Sequence, residues 1–228
     1  MDDREPLVSV VITTFNHDAY IEQALRSVAT QVTPFDIEIL VGEDHSKDET
    51  AEIASRVARE FPNRVRLFLH PENLGGHANF DFLWSRARGK YIAWLEGDDF
   101  WTDRTKLKRQ VQALEATPEA TFCFHNAAVL QPRESRISNP YPGLKKQSLL
   151  AFEDMISYNG IMTSSVMYRR GVVARMPAWI HGLKVGDWPL HLVHAIHGKA
   201  VFLPRVMSTY RVHAGGVWTA RPFFGAGQ

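Results

Sequence analysis

Four times between Leu7 and Leu114, a short apolar run gives way to a stripe of apolar residues recurring every three or four positions. The runs cover residues 7–12, 37–41, 65–69 and 91–95, rich in Val, Ile and Leu and nearly unbroken by polar residues. Unbroken runs of this kind belong to strands buried on both faces, which is the habit of parallel sheets. The stripes are Tyr20, Ile21, Ala24, Leu25 and Val28; then Ile53, Ala54, Val57, Ala58 and Phe61; then Phe80, Leu83, Trp84 and Ala87; then Leu107, Val111 and Leu114. Each marks one face of a helix. Ser46 and Glu49 have the spacing of a capping box for the second helix, and Gly89 is placed to stop the third. A fifth strand is expected over residues 122–130. Strands alternating with helices predict an α/β fold, a single-domain, doubly wound, mixed and mostly parallel sheet.

The second half is less regular. Residues 131–147 hold three prolines and read as a surface loop. A short helix is expected at 152–158, a strand at 165–168, a helical turn at 172–176, a loop at 179–186, a helix at 187–197, and strands at 200–203 and 206–210. No repeat or linker divides the chain. One domain is therefore expected over residues 1–219, with a disordered tail at 220–228 containing Phe223 and Phe224.

In a doubly wound sheet, ligands bind beyond the carboxyl ends of the strands. The residues expected on that rim are Thr13 and Phe15, Asp44, Asn73 and Gly75, and Asp98 and Asp99. The last of these stand in the segment Tyr91-Ile92-Ala93-Trp94-Leu95-Glu96-Gly97-Asp98-Asp99-Phe100-Trp101. Clustered carboxylates at the end of a buried strand repel one another and resist desolvation. A divalent cation such as Mn²⁺ or Mg²⁺ would offset both costs; a solvated acidic turn is the other explanation.

Several classes are disfavoured. No G-x-G-x-x-G follows the first strand and no Walker loop is present, which argues against dinucleotide enzymes and P-loop NTPases. A net charge of +1 gives no field for nucleic acid. Cys123 is the only cysteine, so no internal disulfide forms. No apolar run is long enough to span a bilayer, and residues 1–5 are unlike a signal peptide. A cytoplasmic location is expected, and peripheral contact with the inner face of the membrane is compatible with it. His191, His194 and His197 share a helical face, but no carboxylate or cysteine stands at a companion spacing for zinc. Core or half-exposed histidines are expected instead.

Taken in order, Val8-Ser9-Val10-Val11-Ile12-Thr13-Thr14-Phe15-Asn16, then Glu43-Asp44-His45-Ser46 with Asp48 and Thr50, then Asn73-Leu74-Gly75 with Asn79, then Glu96-Gly97-Asp98-Asp99 resemble the inverting family-two glycosyltransferases of the A-type fold. The resemblance runs from about residue 6 to about 219, and the ordered set is specific where each piece alone is not. It implies a nucleotide-sugar-binding half over about 6–130, Rossmann-like, and an acceptor-binding half over about 131–219. It implies that Thr13 and Phe15 flank the nucleoside and that Asp44 accepts from the base, usually uracil. Asn73, Gly75 and Arg211 join the donor site by the same resemblance. Asp98 would touch ribose or metal, Asp99 would ligate the metal, and His213, in Tyr210-Arg211-Val212-His213, would join them. Glu96 stands where the family often has Asp.

The same resemblance makes Asp187, in Gly186-Asp187-Trp188, the catalytic base, although many relatives carry Glu where this chain has Gly186. Trp188 and Trp101 are the first candidates for sugar stacking, with Trp179 and Trp218 behind them. The implied activity is metal-dependent transfer from a nucleotide-diphosphate sugar, most often a UDP-sugar, to a glycan or glycolipid hydroxyl, with Mn²⁺ or Mg²⁺ as cofactor. A non-catalytic nucleotide-sugar-binding protein and a sugar nucleotidyltransferase are the alternatives.

Overall fold

The first four apolar runs become four parallel strands, of which the first, second and fourth are almost wholly buried and the third, at the end of the sheet, is partly exposed. The computed structural model describes residues 5–131, 135–138, 144–183 and 185–216. Trp218 and the expected tail at 220–228 lie outside the described residues. In chain order the elements are β1 (Val8–Thr14), α1 (Ile21–Ala29), β2 (Ile37–Glu43), α2 (Thr50–Glu60), β3 (Val65–Leu69), α3 (Gly76–Trp84), β4 (Tyr91–Glu96), β5 (Phe100–Trp101), α4 (Lys106–Glu115) and β6 (Ala120–Leu130). There follow β7 (Ser135–Ser138), β8 (Ser148–Leu150), α5 (Phe152–Met155), β9 (Met167–Arg169), α6 (Asp187–Ile196) and β10 (Lys199–Arg211).

One ten-stranded sheet holds them, in the order β3-β2-β1-β4-β9-β6-β10-β5, with β7 on β6 and β8 on β10. The β3-β2-β1-β4 portion is wholly parallel, and so is the long β6–β10 pairing. Antiparallel β9 joins β4 to β6 and so ties the two halves into one sheet. Two cores result. One packs α1, α2 and α4 on one face through Ile21, Leu25, Val57, Leu107 and Leu114. The other packs α3 and α6 on the opposite face through Phe80, Trp84, Phe122, Tyr168 and Leu190. No helix among the described residues is long and apolar enough to cross a membrane.

Several expectations change. The loop expected at 131–147 contains β7, paired antiparallel with β6; its prolines lie outside the described residues. The two strands expected at 200–203 and 206–210 are one strand, β10, whose register shifts between Leu203 and Val206 where Pro204 cannot join the ladder. Residues 172–175 form bends, not a helical turn, and a 3₁₀ turn (Ala178–Gly182) overlaps the loop expected at 179–186. Ser46 and Glu49 do not box α2: the helix starts at Thr50, and Ser46 Oγ instead accepts from the Asn16 amide at 2.9 Å. Gly89 lies beyond the end of α3 and is small for another reason, since a Cβ there would meet the Ser9 amide nitrogen at 2.5 Å.

The three histidines of α6 separate by burial. His191 and His194 are buried against Phe122, Tyr168 and Trp84, and His197 is exposed. Tyr168 Oη and His191 Nδ1 are 2.6 Å apart, while His191 Nε2 and both ring nitrogens of His194 find no partner among the described residues. Burial, then the neighbouring histidine on α6, depresses both imidazoles to about 3. Above about pH 6.5 each is neutral folded or unfolded. Between that pH and about 3, the unfolded chain takes a proton that the fold refuses. Stability is therefore expected to fall with pH across that window, by up to about 1.4 kcal/mol per pH unit for each histidine. Denaturant unfolding at pH 7 and pH 5 measures this, and His194→Phe should flatten the dependence.

Candidate active site

The carboxyl ends of β1, β2, β3 and β4 share one edge of the sheet because these strands run parallel. The loops that leave them are held by a dense set of side-chain bonds. After β1, Asn16 takes φ 53°, and its amide oxygen accepts from the Lys47 amide at 2.9 Å. After β2, His45 takes φ 62°. Left-handed backbone is costly for a non-glycine residue and persists where its surroundings enforce it. Phe15 stays 40% exposed between these loops, and Thr13 is half-buried at the end of β1.

Asp44 is buried, at 2% exposure. Its Oδ1 accepts from the Leu74 amide at 2.7 Å and its Oδ2 from the Gly75 amide at 2.9 Å. Asn73 Nδ2 donates to the Asp44 carbonyl at 2.9 Å. The carboxylate thus folds the turn after β3 onto the end of β2, and Gly75, at φ 83°, supplies the left-handed residue that turn requires. Asn79 anchors the helix that follows: its Nδ2 donates to the Gly42 carbonyl at 2.9 Å, and its Oδ1 would lie 1.9 Å from a Cβ at residue 42. Gly42 therefore has to be glycine.

The end of β4 carries the densest charge. Gly97 lets the turn press against β1, for a Cβ there would stand 2.5 Å from Thr14 Oγ1 and 2.9 Å from His17 Nδ1. Gly97→Ala is expected to cost about 1–3 kcal/mol through this overpacking and to push His17 off Asp98. Chemical denaturation would show it.

The two aspartates that follow have different surroundings. Asp98 faces the rim, with Oδ2 3.0 Å from His213 Nε2 and 3.7 Å from His17 Nε2. Burial works against its ionisation, yet the His213 hydrogen bond and the His17 charge bring it below the ordinary aspartate range. Asp99 points inward, 1% exposed, and its Oδ1 accepts from the Arg211 main-chain amide at 2.8 Å. Burial and the Asp98 charge push Asp99 well up. The expectation that Asp99 meets the metal thus encounters a carboxyl turned under the rim and engaged with β10.

Arg211 is held on the same seam. Its guanidinium donates to the Asp98 carbonyl and to Gln23 Oε1, and it lies over the Tyr20 and Phe100 rings, 5.0 and 4.4 Å from their centroids. The His213 ring packs on Tyr20 at 4.7 Å. β10 thereby brings Arg211 and His213 from the second half beside Asp98 from the first.

Asp187 opens α6. Its Oδ2 accepts from Thr163 Oγ1 at 3.2 Å and its Oδ1 from the Trp188 amide at 2.7 Å. Burial raises its pKa against those two bonds and the His77 charge. Glu96, raised well above the ordinary glutamate range by its own burial, also feels Asp98, Asp99 and Asp187. The Asp187 charge, at the start of α6, thus reaches Glu96 at the end of β4.

The tryptophans divide. Trp101, expected as a sugar platform, is only 4% exposed: its Nε1 donates to the Ser164 carbonyl at 3.0 Å, and the Lys106 ammonium sits 3.9 Å from its ring centroid. It walls the core. Trp188 is half-buried, with Nε1 3.4 Å from the Met155 carbonyl, and Trp179 is 58% exposed. His17, His77, Thr163 and Tyr20 were not foreseen as part of the site. Only the position of His17, just past the end of β1, offered a signal.

Among the described residues no three His, Cys, Asp or Glu side chains converge as a closed metal cage. Mg²⁺ and Mn²⁺ are commonly held by one or two protein ligands, with substrate phosphates and water completing the shell. A carboxylate oxygen and an imidazole nitrogen 3.0 Å apart on the rim, Asp98 and His213, suit such an open site.

Comparison with known proteins gives a consistent picture. The sequence profile of Glycosyl transferase family 2 matches residues 9–176. The uncharacterized protein Rv1520 of Mycobacterium tuberculosis is 39% identical over 212 residues, covering 92% of this chain and 60% of its own length. S. aureus TarS 1–349, solved with UDP-GlcNAc, superposes with a TM-score of 0.76 at 17% identity, over 94% of this chain and 61% of that one. The mannosyltransferase PcManGT of Pyrobaculum calidifontis, solved with GDP-Man and Mn²⁺, superposes with a TM-score of 0.71 at 21% identity, over 94% of this chain and 59% of that one. The chain thus spans about 60% of the length of these proteins.

Proposed function

The chain belongs to Glycosyl transferase family 2, and from that premise we propose that it transfers a sugar, with inversion, from a nucleotide-diphosphate donor to a hydroxyl of a glycan or glycolipid. The observation that carries this reading is the rim where Asp98 of the β4 end lies 3.0 Å from His213 and where the Asp187 charge reaches Glu96. It supports a carboxylate from the second half acting at the rim where the first half would hold a donor.

The donor lies across the rim, its nucleoside between Thr13 and Phe15 and the turn organised by Asp44, Asn73 and Gly75. Asp98 and His213 would hold the divalent ion, which when bound would stabilise charge on the departing nucleoside diphosphate. Asp99 keeps Arg211 in place, and Arg211 offsets phosphate charge from the β10 side. Asp187 takes the proton of the acceptor hydroxyl as its oxygen bonds to the anomeric carbon and the bond from that carbon to the diphosphate breaks. Thr163 and the Trp188 amide fix the carboxylate's orientation for that step. Trp188, next in the chain, borders the acceptor. UDP- and GDP-sugars bound to the superposing structures make both nucleotides donor candidates, with UDP placed first.

Release of nucleoside diphosphate from a panel of UDP- and GDP-sugars, with Mn²⁺, Mg²⁺ or chelator, tests the reading. Turnover of at least one sugar that stops on chelation is expected. No turnover of any donor, with binding intact, would favour a non-catalytic nucleotide-sugar-binding protein.

A further inference from the structure

Gly186 precedes α6 with φ −105° and ψ −23°, a conformation open to any residue. Its missing side chain is explained by a neighbour. A Cβ at residue 186 would lie 2.6 Å from His77 Nε2 and 2.9 Å from its Cδ2. The ring reaches that place because Gly75 turns the chain into α3 and leaves His77 as the helix's second residue. A loop on the donor side thus seats an imidazole in the notch immediately before Asp187.

The other side of the ring is also defined. His181 lies 5.9 Å away between centroids, and its Nε2 is 2.8 Å from Asp81 Oδ2, one turn along α3 from His77. Among the described residues, neither nitrogen of His77 is committed to a hydrogen bond. The ring is half-exposed, so solvent can serve those nitrogens.

We infer that His77 is a positioning residue for Asp187: held in the notch that Gly186 leaves, its imidazole favours the ionised carboxylate that the transfer step requires. This rests on the reading of Asp187 as the base. The charged groups around the pair are accounted for. The Asp187 charge reaches Glu96, Tyr168 and Tyr210, the His77 charge favours ionised Asp187, and Asp81 pairs with His181 on the far side of the ring. The absence of a carboxylate at residue 186 has a consequence here, because a Glu in its place would displace the ring and add a like charge beside the base.

The test is the pH dependence of kcat/KM for the wild type, His77→Phe, Gly186→Ala and Asp187→Asn. His77→Phe keeps a ring of similar size without a charge; Gly186→Ala expels the native ring. Each is expected to move the acidic limb of the profile upward by about half a pH unit or more, because Asp187 loses a favourable charge. A merely structural role would lower the rate without moving the limb. An acidic limb unmoved in both variants, while Asp187→Asn abolishes turnover, overturns the role of His77 and leaves the base assignment standing. Turnover of Asp187→Asn at the wild-type rate would remove the base itself.

Discussion

Asp98→Asn is expected to abolish divalent-dependent binding of the nucleotide sugar. Asp98 is the carboxylate of the Glu96–Asp99 cluster that faces the rim with a histidine nitrogen beside it, and its partners keep it ionised despite burial. The change to Asn keeps the size and removes the charge. The His213 contact can persist through the amide oxygen, so the fold should be spared. Donor affinity in the presence of Mn²⁺ should fall about a hundredfold or more, which corresponds to about 2.7 kcal/mol. Affinity in chelator should hardly change. Calorimetric titration reads both. Asp99→Asn offers the contrast: it disturbs a buried bond to the Arg211 amide, so it should lower stability as well as affinity.

Asp187→Asn should leave donor binding within about twofold while lowering kcat by about 10²–10⁴, the range for loss of a general base. Burial lifts Asp187 above the ordinary aspartate range. Only its ionised form can accept the hydroxyl proton, so kcat/KM is expected to rise with pH through that elevated value and then level. In Asp187→Asn the rise should disappear with the activity. Thr163→Val, which removes the 3.2 Å bond to Oδ2, should give a milder loss in the same direction, as expected for a group that aims the carboxylate without accepting the proton.

Much of this was legible in the sequence. β1 to β4 could be read because each is a continuous apolar run, and their parallel order follows from the helices between them. β5 and β8 could not be read, having two and three residues and pairing, among the described residues, only with β10. β10 reads as two strands because Pro204 interrupts the pattern, while the ladder passes over the interruption as a register shift. The rim was legible at the level of position: residues following strands fall on one edge.

Roles within the rim were less legible, because they depend on which way a carboxylate turns. Asp98 and Asp99 are adjacent and chemically alike, yet one faces the rim and the other bonds to Arg211, over a hundred positions away. Asp44 likewise looks like a free acceptor in sequence, but two main-chain amides occupy its oxygens. His77 gave no signal at all. Its meaning comes only from Gly186, on a segment that the sheet folds back onto α3.

A crystal grown with Mn²⁺ and UDP, with diffraction recorded at the manganese edge, tests the central claim most directly. An anomalous peak within bonding distance of Asp98 and His213, about 2.0–2.2 Å from the carboxylate oxygen, with the diphosphate on its open side and Asp187 facing the same space, is the predicted result. A nucleotide bound elsewhere, or bound on the rim with Asp98 still closed on His213 and no manganese between them, would contradict it.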